Sequence, residues 1–221
     1  MSDTTTGDPA ATGFELHPGR GRFNAAFFGA MGPVLDSAMG PRKRRVFAGL
    51  RGTVVEIGPG VGANLPYLPH GSTLIGIEPN RYMHAGLRAA AERHGVELDL
   101  RERVAESTGL PDGSADAVIS SLVLCSVRDP EAVLAEVRRI LRPGGSFRFL
   151  EHVRAPEGTP TRAAQRALRR PWAWTFEGCS CERDLERAVR DAGFRTVEVE
   201  HYRVHTPFLP FNTHIAGVAG V

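Results

Sequence analysis

The segment Val54-Val55-Glu56-Ile57-Gly58-Pro59-Gly60-Val61-Gly62 runs from a β-branched stretch into three alternating glycines. Glycines in the turn from a first strand to a first helix let the polar tail of a ligand approach bare backbone. Gly58-x-Gly60-x-x-Ala63 also satisfies a loose dinucleotide fingerprint, so the glycines alone do not decide the ligand. Glu56 does more: a carboxylate at this strand end repels a pyrophosphate but accepts hydrogen bonds from the ammonium of an amino acid. Leu74-Ile75-Gly76-Ile77-Glu78 ends a second run with a carboxylate about twenty residues past the first glycine, where it can take both hydroxyls of a ribose. An acidic residue there suits an adenosine without a 2′-phosphate. Ala105-Glu106 follows a third run, where the acid can meet an adenine amino group; taken alone, Glu106 reads equally well as a surface loop residue.

Positioning these groups requires a parallel sheet covered by helices, and the chain alternates in that way from Gly52 onward. Strands are expected at Thr53 to Ile57, Thr73 to Glu78, Val96 to Val104, Ala115 to Ser120 and Ser146 to Val153. Helical spacing covers Arg81 to His94, Pro130 to Leu141, Thr161 to Arg170 and Glu182 to Ala192. Asp129-Pro130 supplies a cap and first turn, and Gly144-Gly145 and Gly193 supply stops. Arg195 to His201 and Thr213 to Val218 can form a final antiparallel pair. The chain is therefore expected to be α/β: a Rossmann-like, mostly parallel sheet with helices on both faces.

Residues 1–17, with no basic start and no apolar run at their head, read as a disordered tail, and 18–221 as one domain. Within it, 18–50 reads as a helical lid and 51–221 as the core. Ala25 to Leu35 is expected to be an amphipathic helix ending near Gly32-Pro33, too short to span a bilayer. Arg42-Lys43-Arg44-Arg45 is expected on a solvated face at the start of a helical pattern. Of 221 residues 42% are hydrophobic, enough for one sizeable core. Lys plus Arg number 27 and Asp plus Glu 25, a net charge of +2 that is too small for polyanion attraction, so no nucleic-acid partner is indicated. Three cysteines suit a reducing cytoplasm, and Cys179-x-Cys181 without a second pair argues against structural zinc; no metal is expected.

The glycine turn, Glu56, Glu78, Glu106 and Leu141-Arg142-Pro143-Gly144-Gly145 together resemble the class I S-adenosylmethionine-dependent methyltransferases. The resemblance covers roughly Gly52 to the C-terminus. It implies a seven-stranded sheet with an antiparallel end and S-adenosylmethionine across the carboxyl edge of the first, second and fourth strands. It carries cofactor contacts onto Glu56, Gly58, Gly60, Gly62, Asn64, Glu78, Pro79, Met83, Ala105, Glu106, Ser121 and Leu122. Leu122-Val123-Leu124-Cys125-Ser126-Val127, Glu151-His152-Val153, Glu177-Gly178-Cys179 and His214-Ile215-Ala216-Gly217 are similar, more narrowly, to the small-molecule thiol S-methyltransferases of the methyltransferase-like proteins. No hydrophobic anchor precedes the domain here, Glu78 replaces a common Asp, and Thr213 replaces a common Pro.

Methyl transfer to sulfur needs an in-line acceptor, and a thiolate benefits from an apolar chamber because charges neutralise along the path. Phe23, Phe27, Phe28, Trp172, Trp174, Phe208 and Phe211 are candidates to surround it, against their reading as ordinary core. An alkyl thiol with a pKa near ~8.5 gains from a nearby base or positive charge. His152, which neighbouring Glu151 could orient, and His214 are the candidates, each competing with its reading as a buried structural histidine. Cys179 is read as a structural loop thiol rather than a nucleophile or redox partner. The expected activity is S-methylation of an apolar thiol, yielding S-adenosylhomocysteine. The alternatives are a quinone or phenol C- or O-methyltransferase, a phospholipid N-methyltransferase, a nicotinamide-dependent oxidoreductase, and a non-catalytic ligand-binding module.

Overall fold

A computed structural model describes residues 16–221, so most of the segment expected to be a tail lies outside the described residues. His17, placed in that tail by the sequence reading, instead caps the first helix, its Nδ1 accepting from Arg20 N at 3.3 Å. Seven strands form one sheet: β1 (Val54–Ile57), β2 (Thr73–Ile77), β3 (Glu97–Arg101), β4 (Ala115–Ser121), β5 (Leu141–His152), β6 (Thr196–Arg203) and β7 (Thr213–Gly220), in the order β3-β2-β1-β4-β5-β7-β6. The first five pair in parallel, and β7 runs antiparallel to both β5 and β6. This is the Rossmann-like arrangement the sequence implies.

The helices are α1 (Pro18–Val46), α2 (His84–His94), α3 (Pro130–Ile140), α4 (Pro160–Thr175) and α5 (Leu185–Asp191). In α3, Asp129 accepts from Ala132 N at 3.0 Å and Pro130 occupies the first turn, where its missing N–H costs nothing. Val133 and Val137 of α3, with Leu185 and Val189 of α5, pack on Val55, Val118 and Phe147. On the other face Met39 and Val46 of α1, with Leu87 and Ala91 of α2, pack on Val54, Leu74 and Ile119. All four residues of β1 are buried, as a central parallel strand covered on both faces requires. The chain steps outward from β1 to β2 and β3, then returns to β4 and β5. That reversal opens a crevice beyond the carboxyl ends of β1 and β4.

Several local expectations are corrected. The lid helix does not stop at Gly32-Pro33: α1 runs through Pro33 and Pro41, each costing one backbone bond, because Met39, Lys43 and Val46 anchor its second half. The basic run therefore lies in the last turn of α1, where cations oppose the helix dipole, and Lys43 is buried rather than solvated. No α-helix follows the glycine turn; Pro66 and Pro69 limit that segment to a 3-10 turn at Leu65–Tyr67. Leu141 to Gly145 belongs to β5, with Leu141 paired to Ala115 ahead of a register shift. Trp172 and Trp174 lie inside α4, which continues past Pro171, and Asp184 caps α5 to start it at Leu185. Among the described residues no helix is long and apolar enough to cross a membrane.

Candidate active site

A cavity of about 750 Å³ occupies the crevice, bounded by the loops after β1, β2 and β4, by α1, and by the segments after α4 and β6. The glycine turn forms one wall, and its three glycines have different jobs. Gly58 and Gly62 hold positive φ, and a Cβ on them would come within 2.5 Å of Val123 and 2.7 Å of Leu65. Packing, not ligand approach, requires glycine there, and Gly62 does not reach the cavity. Gly60, at φ +57, faces open space with only Met83 Sδ at 3.5 Å from a notional Cβ. It is the bare backbone the sequence predicted.

Glu56 is 1% exposed and lies behind the wall rather than on it. Its Oε1 accepts from Asn64 Nδ2 at 2.7 Å, while Glu56 Oε2 and Asn64 Oδ1 are buried without partners. Burial pushes the Glu56 carboxyl up to about 7, against the Asn64 hydrogen bond and the charge of Lys43. Lys43 lines the cavity and donates to Ala63 O at 3.0 Å, its pKa lowered by burial despite Asp36 and Glu56. Glu78 lines the cavity too. Its Oε2 accepts from Gly60 N and its Oε1 from Asn80 N, both at 2.9 Å, and burial raises it to about 7. Pro79, Met83, Ala105, Glu106, Ser121 and Leu122 line the cavity as well. Glu106 Oε1 is engaged by Arg128 N at 2.9 Å and Asp129 N at 3.3 Å, which ties it to the start of α3. Leu122 holds a positive φ of 63° as the chain turns out of β4.

The cavity also meets a cluster of Cys125, from the turn after β4, His152, from the end of β5, and Cys179, from the loop after α4. Their ligand atoms lie within 4.8 Å of one another. His152 Nε2 is 3.1 Å from Cys179 Sγ, Trp172 Nε1 donates to the same sulfur at 3.2 Å, and the Cys125 and Cys179 sulfurs are 3.6 Å apart. Hydrogen bonding with Cys125 and Cys181 holds the Cys179 pKa well below its usual value, with help from His152. Burial would lower the His152 pKa, but the Cys179 charge and hydrogen bond, with Glu151, outweigh it and raise it. Burial and Cys179 push the Cys125 thiol up.

Glu151 does not orient the His152 ring. Successive strand residues face opposite sides, and Glu151 turns away to accept from Ser120 Oγ at 2.6 Å and Val123 N at 3.0 Å. His214 is the cross-strand partner of His152, with ring centres 6.3 Å apart, but it stands off the cavity between Tyr202 and Phe211. Burial drives its pKa down to about 3. Phe27, Phe28, Trp172, Trp174, Phe208 and Phe211 line the cavity as expected; Phe23, 47% exposed, does not. Phe176, 4.6 Å from the Trp172 ring, joins them unanticipated. Lys43, Asn80, Cys125 and Glu177 were also passed over as site residues. Cys125 and Glu177 lie in stretches that carry the narrower resemblance, and the spacing of Lys43 from Met39 and Val46 places it on the buried stripe of α1.

The methyltransferase domain family matches residues 55–149. A solved S-adenosylmethionine-dependent methyltransferase from Thermotoga maritima superposes with a TM-score of 0.69 at 21% identity, covering 91% of this chain and 98% of that one. Human thiol S-methyltransferase TMT1B is 33% identical over 201 residues, 85% of this chain and 81% of that protein. Human thiol S-methyltransferase TMT1A is 32% identical over 200 residues, 84% and 81% respectively. Fold and matches define a methyltransferase whose cofactor is S-adenosylmethionine. The chain belongs to the family of TMT1A and TMT1B.

Proposed function

We propose that the protein methylates the sulfur of an apolar small-molecule thiol, with the cofactor held at the glycine turn. The buried, unpartnered Oδ1 of Asn64, which lines the cavity with the open backbone of Gly60, fits an amino-acid end that brings its own donors. Gly58 and Gly60 line that end, with Glu56 supplying negative charge from behind Asn64; Gly62 supports the turn. Glu78 takes the ribose hydroxyls, Pro79 and Met83 pack one side of the adenine, and Ala105, Glu106, Ser121 and Leu122 bound the other. S-adenosylmethionine supplies a methyl group on a positively charged sulfur. Helix α1 serves as the lid over both ligands.

The observation that carries the acceptor reading is the continuity of this wall with an aromatic chamber whose floor holds His152 and Cys179. Phe27, Trp172, Phe208 and Phe211 exclude water from a reaction in which a thiolate and a sulfonium lose their charges, which favours the transition state in a low dielectric. The hydrogen-bonded pair of His152 and Cys179 takes the acceptor's proton, and the imidazolium then faces the thiolate. His214, off the cavity, keeps a packing role. The free thiols of Cys125, Cys179 and Cys181 favour a reducing compartment, and we place the protein in the cytoplasm.

Incubation with labelled S-adenosylmethionine and a size-matched panel of apolar thiols, phenols, amines and lipids, followed by product mass spectrometry, tests the reading. Thiols are expected to turn over fastest. Faster transfer to oxygen, nitrogen or carbon replaces it with the quinone, phenol or phospholipid alternative.

A further inference from the structure

We propose that Cys179 and Cys125 form a redox dithiol that reduces apolar disulfides bound in the same chamber. For the use of the thiol so released, the inference rests on the function proposed above. Both residues line the cavity, and their sulfurs stand 3.6 Å apart, against ~2.05 Å in a disulfide bond. Their surroundings differ in the way an attacking and a resolving thiol require. Cys179 Sγ is met by His152 Nε2 and by the Trp172 N–H, both of which stabilise a thiolate. Cys125 is 1% exposed, its thiol donates to Leu122 O at 3.5 Å, and burial keeps it protonated until Cys179 has reacted. Cys181 is buried outside the cavity wall, which leaves it without access to a bound disulfide. The aromatic chamber selects aryl or alkyl arms over charged ones.

The chemistry balances. The Cys179 thiolate attacks one sulfur of R–S–S–R′, the S–S bond breaks, and R′S⁻ leaves with the bonding pair while a Cys179–S–S–R bond forms. Cys125 then loses its proton to the His152 side of the cluster and attacks the Cys179 sulfur, expelling RS⁻ and closing a Cys125–Cys179 disulfide. Two electrons pass from the protein to the substrate, and a small dithiol reductant returns them for the next cycle. Each released thiolate is an acceptor for methylation, formed where the methyl group is delivered.

The test omits S-adenosylmethionine. Reduced, desalted protein is mixed with 4,4′-dithiodipyridine, an uncharged aryl disulfide, and thiopyridone release is followed by absorbance, with peptide mapping of the product. Two equivalents per chain and a Cys125–Cys179 link are expected. Cys125→Ser should release one equivalent and retain an adduct on Cys179; Cys179→Ser should lose the fast release; Cys181→Ser, which keeps a hydroxyl beside Cys179, should still release two equivalents and form the Cys125–Cys179 link. Melting curves on each variant confirm folding, and the wild-type link map stands without them. A Cys179–Cys181 link, separate adducts on Cys125 and Cys179, or no fast release overturns the proposal. Methylation of the pre-reduced thiol, assayed in parallel, separates the two readings: disulfide reduction without methylation removes only the thiol-acceptor function, and methylation without reduction removes only the dithiol.

Discussion

The backbone N–H of Gly60 donates to Oε2 of Glu78 at 2.9 Å, so the carboxylate that ends β2 also fastens the turn that leaves β1. Glu78→Ala removes both that brace and the proposed ribose acceptor, and should weaken S-adenosylmethionine by roughly 1–3 kcal/mol while lowering Tm. Glu78→Gln keeps a carbonyl for Gly60, so it should recover most of the Tm but not the affinity. Calorimetry with thermal melting checks both halves; unchanged affinity in Glu78→Ala moves the ribose elsewhere.

The glycines should separate stability from binding. In Gly58→Ala the new Cβ would meet Val123 at 2.5 Å in addition to the strain of a positive φ, so Tm should fall first. Gly60→Ala meets only Met83 Sδ at 3.5 Å and carries only the strain of its positive φ, so it should cost about 1–2 kcal/mol of stability, less than Gly58→Ala, while sharply weakening the cofactor. Equal Tm losses with equal affinity losses contradict this division.

The pattern of short apolar runs, glycine turn and strand-end acids carries the fold and the cofactor end because both depend on local spacing: a carboxylate at residue 78 is placed by where β2 stops. The acceptor end is assembled differently. Cys125, His152 and Cys179 come from three segments separated by 27 residues each and meet only through the sheet order, which no spacing encodes. Glu151 misled for a simpler reason, since adjacency along a strand means opposite faces. The prolines of α1 misled because their local cost is outweighed by packing contributed from distant elements.

Cofactor affinity should depend on pH through Glu56, whose carboxyl lies at about 7 in the free protein. An ammonium prefers the ionised form, so binding should tighten as pH rises to about 7 and level off above it, with a proton released at lower pH. Glu78, also at about 7, titrates in parallel, so Glu56→Gln should remove part of the slope and leave the remainder. Calorimetry in buffers of different ionisation enthalpy reads the released proton directly; an unchanged slope in Glu56→Gln assigns the whole effect to Glu78.

His214 should appear in the pH dependence of stability instead. Its pKa is about 3 when folded against 6.5 ordinarily, so the unfolded chain binds the extra proton between those values. Its contribution is fully present above pH ~6.5 and is lost as pH falls, by roughly 1.4 kcal/mol per unit well inside the window. His214→Leu should therefore lose less stability on acidification than the parent in urea titrations from about pH 7 to 5. Parallel curves would place the ring in water on unfolding and folding alike.

His152 is the remaining test, because the pair it forms with Cys179 is the proposed destination of the acceptor's proton. His152→Asn should lower turnover with little change in S-adenosylmethionine affinity, since the ring belongs to the Cys125–Cys179 cluster and not to the proposed cofactor contacts. A positioned base is worth about a hundredfold or more near its best pH, which exceeds what a modest packing defect imposes. The deficit should shrink as pH climbs towards the acceptor's own pKa, where solvent supplies thiolate unaided. Lost packing would act at every pH and would lower Tm. Profiles from about pH 6 to 9.5 span the reference values of both imidazole and thiol, and His214→Asn run alongside should show the packing signature instead. A small deficit in His152→Asn, constant across that range, would remove the proton from this pair and leave proximity and desolvation by the aromatic chamber as the source of rate.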